Sequence, residues 1–373
     1  MIQLFSSTLG EEELAAVKRV FESRFLGYGN ESKSFEKEFG AKIGSNRVLA
    51  TNCCTAALYM SMKMLGIGPG DEVIIPSINF VGCGNAIMDA GARPVFADVE
   101  LDTLNIIPSE ISRLRTRNTR AVLLLHYGGH PCNLDEVREH ARGLRIIEDS
   151  ACSVVSTYQG KNCGTLGDIG CFSFDSMKIL VMGDGGAIVV KDDELLEKAK
   201  QYRYLGMAPK LSSGTDSLAE GKDRWWEIQL ATTSNRYTTN DILCSIGRVQ
   251  LRKLDSFVRR RKAIWRAYQA GLSTIPWLTC PPEPLPQTES SYYLYWLRTD
   301  KRDQLAKYLV DNGIYCTFRY YPLHLIPQYG WKEKLPNAEQ LDRTALNIPV
   351  HQNLTDNDAD RVIETIKAFG RRT

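Results

Sequence analysis

The residues best suited to chemistry lie between positions 146 and 190, in IIEDSACSVVSTYQGKNCGTLGDIGCFSFDSMKILVMGDGGAIVV. Asp149 follows the strand expected at 145–148, RIIE, which places it at the carboxyl end of that strand, the edge where open α/β sheets take ligands. Lys178 comes behind an apolar segment, 171–174, with glycine-rich turns at 164–170 and 183–186 on either side. A carboxylate and an amine at one sheet edge suit pyridoxal phosphate. Its aldehyde carbon needs an amine, and its pyridine nitrogen needs a carboxylate that keeps it protonated, so that the ring draws electrons from a breaking Cα–H bond. The amine must lose its proton to attack, which burial favours by lowering its pKa. Once displaced, it can shuttle a proton between carbon atoms. Spacing alone leaves the plainer readings open. A strand-end Asp also caps helices or forms turns, and a lone Lys is otherwise a solvated surface charge.

Other residues invite attention at the same edge. His126 and His130 flank Tyr127-Gly128-Gly129 after the apolar run 121–125, and His324 sits in YYPLHL. Each is as well suited to a structural hydrogen bond as to a ligand contact, and their spacing makes no metal site. Trp225-Trp226 fits a core element, a dimer contact or a base-stacking platform, with core or dimer packing favoured.

The elements that must position these groups alternate along the first two-thirds of the chain. Strands are expected at 48–51, 72–76, 94–97, 121–125 and 145–148, with helices at 55–65, 81–90 and 134–141. That order predicts an α/β fold with a mostly parallel sheet covered by helices on both faces. A Gly-x-Gly-x-x-Gly fingerprint is absent, which removes the best support for a dinucleotide site. Residues 206–235 are polar and poor in apolar periodicity, and read as a long loop ordered by a ligand or partner chain. Helical spacing resumes at 241–257. A helix beyond about 250, a Pro-rich connection at 281–286, a strand and further helices, the last at 356–369, indicate a smaller α+β domain. The expected division is a large cofactor-binding domain over 1–250 and a small domain over 251–373.

Composition narrows the class further. The 373 residues carry a net charge of +2, which gives no overall reason to expect nucleic acid or an anionic membrane as partner. The ten cysteines include no Cys-x-x-Cys pair. The first residues do not read as a signal peptide, and no apolar run is long enough to span a bilayer. The cytoplasm is the expected location, with the cysteines acting as small core residues.

Several long motifs occur in one order: GEEELAAVKRVFESRFLGYGNESKSFEKEFG, TAALYMSMKMLGIGPGDEVIIPSINFV, AGARPVFADVELDTLNI, IEDSACS, GDIGCFSFDSMK with GDGGAIVV, YYPLHLIPQYG, and LNIPVHQNLTDNDADRVIETIKAF. Together they resemble the DegT-type family of nucleotide-sugar aminotransferases nearly from end to end. The resemblance implies the type I aminotransferase fold, pyridoxal 5'-phosphate as cofactor and a homodimer. It implies that Lys178 carries the cofactor as a Schiff base, that Asp149 pairs with the pyridine nitrogen, that Phe80 stacks on the ring and that Ser173 binds the phosphate. Cys54 and Thr55 fill the family's Gly-Thr position, where backbone N–H groups at a helix start face that phosphate.

The chain also departs from the family. Cys53-Cys54-Thr55 stands for Ser-Gly-Thr, a change that only a glycine-specific backbone would forbid. Cys152 stands where most members have Gln or His beside the cofactor's phenolic oxygen. Asn235-Arg236-Tyr237-Thr238 replaces Asn-Tyr-Arg-Met, so that either Asn235 or Arg236 can serve the partner subunit's phosphate site. Tyr28, Tyr320 and His324 are the candidate substrate contacts. The implied reaction moves an amino group from glutamate or glutamine to a nucleoside-diphosphate keto sugar, a 4-keto-6-deoxyhexose. Alternatives are a cyclitol or amino-aromatic precursor as acceptor, a sugar 3-dehydratase, whose branch has His in place of Lys178, and a non-catalytic regulator on the same fold.

Overall fold

The computed structural model describes residues 1–207, 223–224 and 226–371. Apolar segments of four to seven residues form the strands β1 (Val48–Thr51), β2 (Glu72–Pro76), β3 (Arg93–Ala97), β4 (Thr119–Leu125) and β5 (Arg145–Asp149). A small hairpin, β6 (Thr157–Tyr158) and β7 (Lys161–Asn162), precedes β8 (Ile169–Ser173) and β9 (Gly186–Val190). The main sheet has the order β1-β9-β8-β5-β4-β2-β3. Pairing is parallel from β8 through β3, and β9 runs against both neighbours. Residues 121–125 of β4 are all buried, which a strand covered on both faces requires.

The expected strands and helices agree with the observed ones to within a residue or two in the first 150 positions. Examples are α3 (Cys54–Met64), which follows α1 (Glu11–Ser23) and α2 (Asn30–Ile43), and α4 (Val81–Asp89). No element was expected at 186–190. There GAIVV forms β9, the strand that joins β1 to the rest of the sheet.

Helical spacing expected at 241–257 continues without a break, giving one helix of 32 residues, Asp241–Leu272. Asn240 caps it by accepting from the Leu243 N–H at 3.1 Å. Asp241 reaches out to the start of α2, accepting from the Gly29 and Ser32 N–H groups at 2.8 and 2.9 Å. Residue 250, the expected junction of two domains, lies inside this helix. Its Leu254 and Phe257 join the core beneath the main sheet. Ile264, Trp265, Tyr268 and Leu272 join a second core with the strands Tyr295–Arg298 and Ala345–Ile348 and the helix Asp356–Gly370.

The C-terminal part also folds back onto the large sheet. Leu323 donates to the Ser77 carbonyl at 2.8 Å, just past the end of β2. Of the long loop expected at 206–235, residues 208–222 and 225 lie outside the described residues. Its described flanks pair through Met207 with Leu230 and through Tyr204 with Arg236. All ten cysteines are free thiols and eight are buried. Among the described residues, no helix is long and apolar enough to cross a membrane.

Candidate active site

Strand ends and helix starts converge on one edge of the sheet. β5 delivers Asp149, β8 delivers Ser173 and the turn to Lys178, β1 leads into α3, and β2 leads through Asn79 to Phe80 at the start of α4. These groups line a cavity of about 400 Å³ with Cys54, Thr55, Asp184, Arg319 and Tyr320, a size suited to a cofactor-sized ligand. A hollow of about 420 Å³ at the opposite edge, lined by Arg47, Lys161 and Lys191, holds none of the expected site residues.

The first turn of α3 forms an anion-binding corner. Helix-start N–H groups lack intrahelical acceptors and the helix dipole favours negative charge there. Cys53 caps the helix through its sulfur, which accepts from the Ala56 N–H at 3.3 Å. Cys54 is the first helical residue and lies outside the positive-φ region, so the family's glycine can be replaced here without backbone strain. Glycine is needed instead across the sheet, at Gly186. A β-carbon there would sit 2.5 Å from Cys53 C and Cys54 N, so β9 packs straight against the helix start. Ser173 is the register partner of Gly186, which puts its side chain at the same corner.

Asp149 is buried, at 2% exposure. Its Oδ1 accepts from the Ala151 N–H at 3.0 Å and its Oδ2 from the Cys83 thiol at 3.1 Å. Burial raises its pKa. Among the described residues no cation hydrogen-bonds to it, so a protonated ring nitrogen is the kind of donor that would complete it. The preceding residue, Glu148, is fully engaged on the other face of the strand. It accepts from Gly164, Leu166 and Gly167 N–H groups at 2.6–2.8 Å and from His126 Nε2 at 3.0 Å. His126 Nδ1 accepts from Cys132 N–H at 3.1 Å, so both ring nitrogens are used in fixing β5 and the loop behind it. Cys163 lies within 4.8 Å of the same donors, but the carboxylate and imidazole it would share with a metal are already bonded.

Lys178 Nζ lies 3.5 Å from Tyr293 Oη and 4.7 Å from the centre of that ring. Burial pulls its pKa down, as expected from sequence, but the net direction is opposite. Tyr293, Tyr320, Cys152 and Asp149 surround the amine and together hold it above its ordinary value.

The other expected residues separate into two groups. Tyr320 lines the cavity, with its ring 5.9 Å from Phe80 and its hydroxyl 3.7 Å from the buried Cys152 sulfur. Cys152, His324, Tyr28, Asn235 and Arg236 do not line it. His324 is buried and holds Ser77 Oγ at 2.6 Å, bracing the segment that leads to Phe80. Tyr28 donates to Glu36 at 2.7 Å under the Arg203 guanidinium. Asn235 and Arg236 are exposed, with Asn235 bonded to Tyr237 Oη at 3.0 Å and Arg236 near the Tyr204 ring. His130 is buried against Trp296 and Trp265. Trp226 is 57% exposed, and Trp225 lies outside the described residues.

The match to known proteins extends over almost the whole chain. The model of the DegT/DnrJ/EryC1/StrS aminotransferase family matches residues 7–367. This chain belongs to that family. It is 43% identical, over 98% of its length and 95% of the relative's, to dTDP-4-dehydro-2,3,6-trideoxy-D-glucose 4-aminotransferase of Saccharopolyspora spinosa. The solved aminotransferase TlmJ of Streptoalloteichus hindustanus superposes with a TM-score of 0.94 at 46% identity, with all of both chains covered. Sugar aminotransferase CalS13 of Micromonospora echinospora gives 0.91 at 27% identity, over 99% of this chain and 100% of that one. The fold is the type I aminotransferase fold, and the enzyme is a pyridoxal-phosphate-dependent aminotransferase.

Sequence reasoning missed Cys83, Tyr293 and Arg319, and it read Gly186 only as part of a turn. Arg319 directly precedes Tyr320, a neighbour that could have drawn attention to it. Tyr293 sits in the apolar run SSYYLYWL and carries no local mark of its contact with Lys178.

Proposed function

We propose that this aminotransferase moves an amino group from glutamate or glutamine to the ketone of a nucleoside-diphosphate keto sugar, a 4-keto-6-deoxyhexose. The observation that carries this is the shared cavity of Lys178, Asp149 and the α3 start, in a chain 43% identical to a nucleotide-sugar 4-aminotransferase. Lys178 in the position where the dehydratase branch has His favours amination over C3 deoxygenation.

The cofactor, when bound, supplies an electron sink for the Cα–H bond of the donor. Lys178 Nζ would hold the cofactor covalently and, once free of it, would carry a proton to and from carbon. Asp149 keeps the ring nitrogen protonated. Phe80 would cover one ring face, and Ser173 with the Cys54 and Thr55 N–H groups would hold the phosphate. Tyr320, which lines the cavity, would contact the substrate, and Cys152, with its sulfur 3.7 Å from the Tyr320 hydroxyl, would serve the phenolic oxygen. Tyr28 and His324 serve the substrate side indirectly, through the turns they brace.

The enzyme is further proposed to work in the cytoplasm as a homodimer, with Asn235 or Arg236 completing the partner's phosphate site. Both side chains are exposed, and large apolar side chains are exposed on α1 and near it, including Phe21 at 58% and Phe25 at 56%. The experiment is a product-mass screen of nucleotide keto sugars with glutamate and glutamine. A product gaining an amino group is expected. Deoxygenation without nitrogen gain, or no product with any keto sugar, contradicts the proposal. Activity that persists in a strictly monomeric species in sedimentation contradicts the dimer.

A further inference from the structure

Two cations line the cavity among the described residues, Lys178 and Arg319. The Arg319 backbone is held firmly. Its N–H donates to Asn347 Oδ1 at 2.6 Å, and its carbonyl accepts from the Tyr127 hydroxyl. Both partners are buried. The side chain crosses Phe5, with the guanidinium carbon 4.7 Å from the ring centre, and Nη2 reaches the Met177 sulfur at 3.0 Å. No carboxylate lies within ion-pair distance among the described residues, whereas Arg203, Arg260 and Arg298 each have one and Arg248 has two. A half-buried guanidinium whose partners are the Phe5 face, the Met177 thioether and the neighbouring Tyr320 hydroxyl has no carboxylate and keeps fork-shaped donors for an anion.

We propose that Arg319 binds the α-carboxylate of the amino-acid donor, an assignment that rests on the donor proposed above. Met177, which Arg319 touches, immediately precedes Lys178. An α-amino acid carries its amine and carboxylate on one carbon, so an amine presented where Lys178 Nζ stands brings its carboxylate to the Arg319 side. The other anions have reasons to lie elsewhere. The cofactor phosphate has the α3 start and Ser173. The diphosphate of a 4-keto sugar is attached at C1, across the ring from the reacting ketone, and so away from a cation beside Lys178. Asp175 and Asp184 also line the cavity, each accepting a backbone N–H at 2.9 Å.

The test compares Arg319→Gln and Arg319→Lys with the parent holoenzyme in steady state, varying glutamate and keto sugar separately. Affinity for 2-methylglutamate, which has no Cα–H to lose, is followed in parallel by difference absorbance. Arg319→Gln is expected to raise the glutamate KM and the 2-methylglutamate Kd roughly 10- to 100-fold, as for loss of a charged hydrogen bond. The keto-sugar KM is expected to change less than about threefold, and Arg319→Lys to fall between. Unchanged donor affinity, a selective rise for the sugar, or equal rises for both overturn the assignment. Phenylglyoxal labelling of unmutated holoenzyme gives a second reading if the variants fold poorly. Glutamate should protect the Arg319 peptide and the nucleotide sugar should not; the reverse pattern, or protection by neither, overturns it. Unmutated enzyme that saturates with no α-amino acid removes the donor assignment itself and this inference with it.

Discussion

The Cys83 thiol donates to Asp149 Oδ2 at 3.1 Å, tying the carboxylate at the end of β5 to the first turns of α4. Burial and the neighbouring carboxylate keep Cys83 a thiol, well above its ordinary pKa, so it acts as a donor throughout the working range. Phe80, at the start of the same helix, therefore moves with the group that fixes Asp149.

Asp149→Asn should fold normally and weaken cofactor binding about 10- to 100-fold, the effect of removing a charged hydrogen bond. Cys83→Ala should cost less, up to about tenfold, because only an orienting neutral donor is lost. Cofactor titration by absorbance checks both. Equal losses in the two variants would deny that the carboxylate is the principal partner.

Gly186→Ala should disturb the α3 start. The added carbon meets backbone atoms of Cys53 and Cys54 at 2.5 Å, which cannot move aside as a side-chain end would. A cost of about 1–3 kcal/mol is expected for such overpacking, with weaker cofactor binding. Gly10→Ala, where nothing lies within 4 Å, is the control. Thermal melting with and without cofactor distinguishes them, and identical behaviour of the two variants would contradict the close approach of β9 to the helix.

His130 should make the fold sensitive to mild acid. Burial lowers its pKa to about 4, and it is 3% exposed. The unfolded chain takes up a proton near pH 6.5 and the folded chain does not. Stability is therefore fully present above that pH and lost as pH falls toward about 4. Between pH 7 and 5 the loss from this group is about 2 kcal/mol. Urea titrations should show a steeper decline for the parent than for His130→Gln, and parallel declines would contradict it.

Much of the α/β layout was legible in the sequence because strands covered on both faces are written as short apolar runs between turn residues. Asp149 and Lys178 were legible as candidates because each follows an expected strand, and the family resemblance gave them their roles. β9 was hidden because GAIVV is brief and begins inside a glycine turn. The surroundings of the Lys178 amine were hidden because Tyr293 and Tyr320 come from more than a hundred positions away. The helix Asp241–Leu272 was divided in expectation because its apolar face changes partners midway, from the main core to the second one, while its spacing runs on unbroken.

The most direct measurement is borohydride reduction of the holoenzyme, followed by digestion and mass mapping of the peptide that retains the cofactor. The label should fall on the peptide bearing Lys178, and Lys178→Ala should remain unlabelled while its turnover falls at least about a thousandfold, in keeping with loss of covalent and proton-transfer chemistry together. A label on another lysine, a stable holoenzyme that yields none, or a Lys178→Ala variant that still turns over would contradict the account.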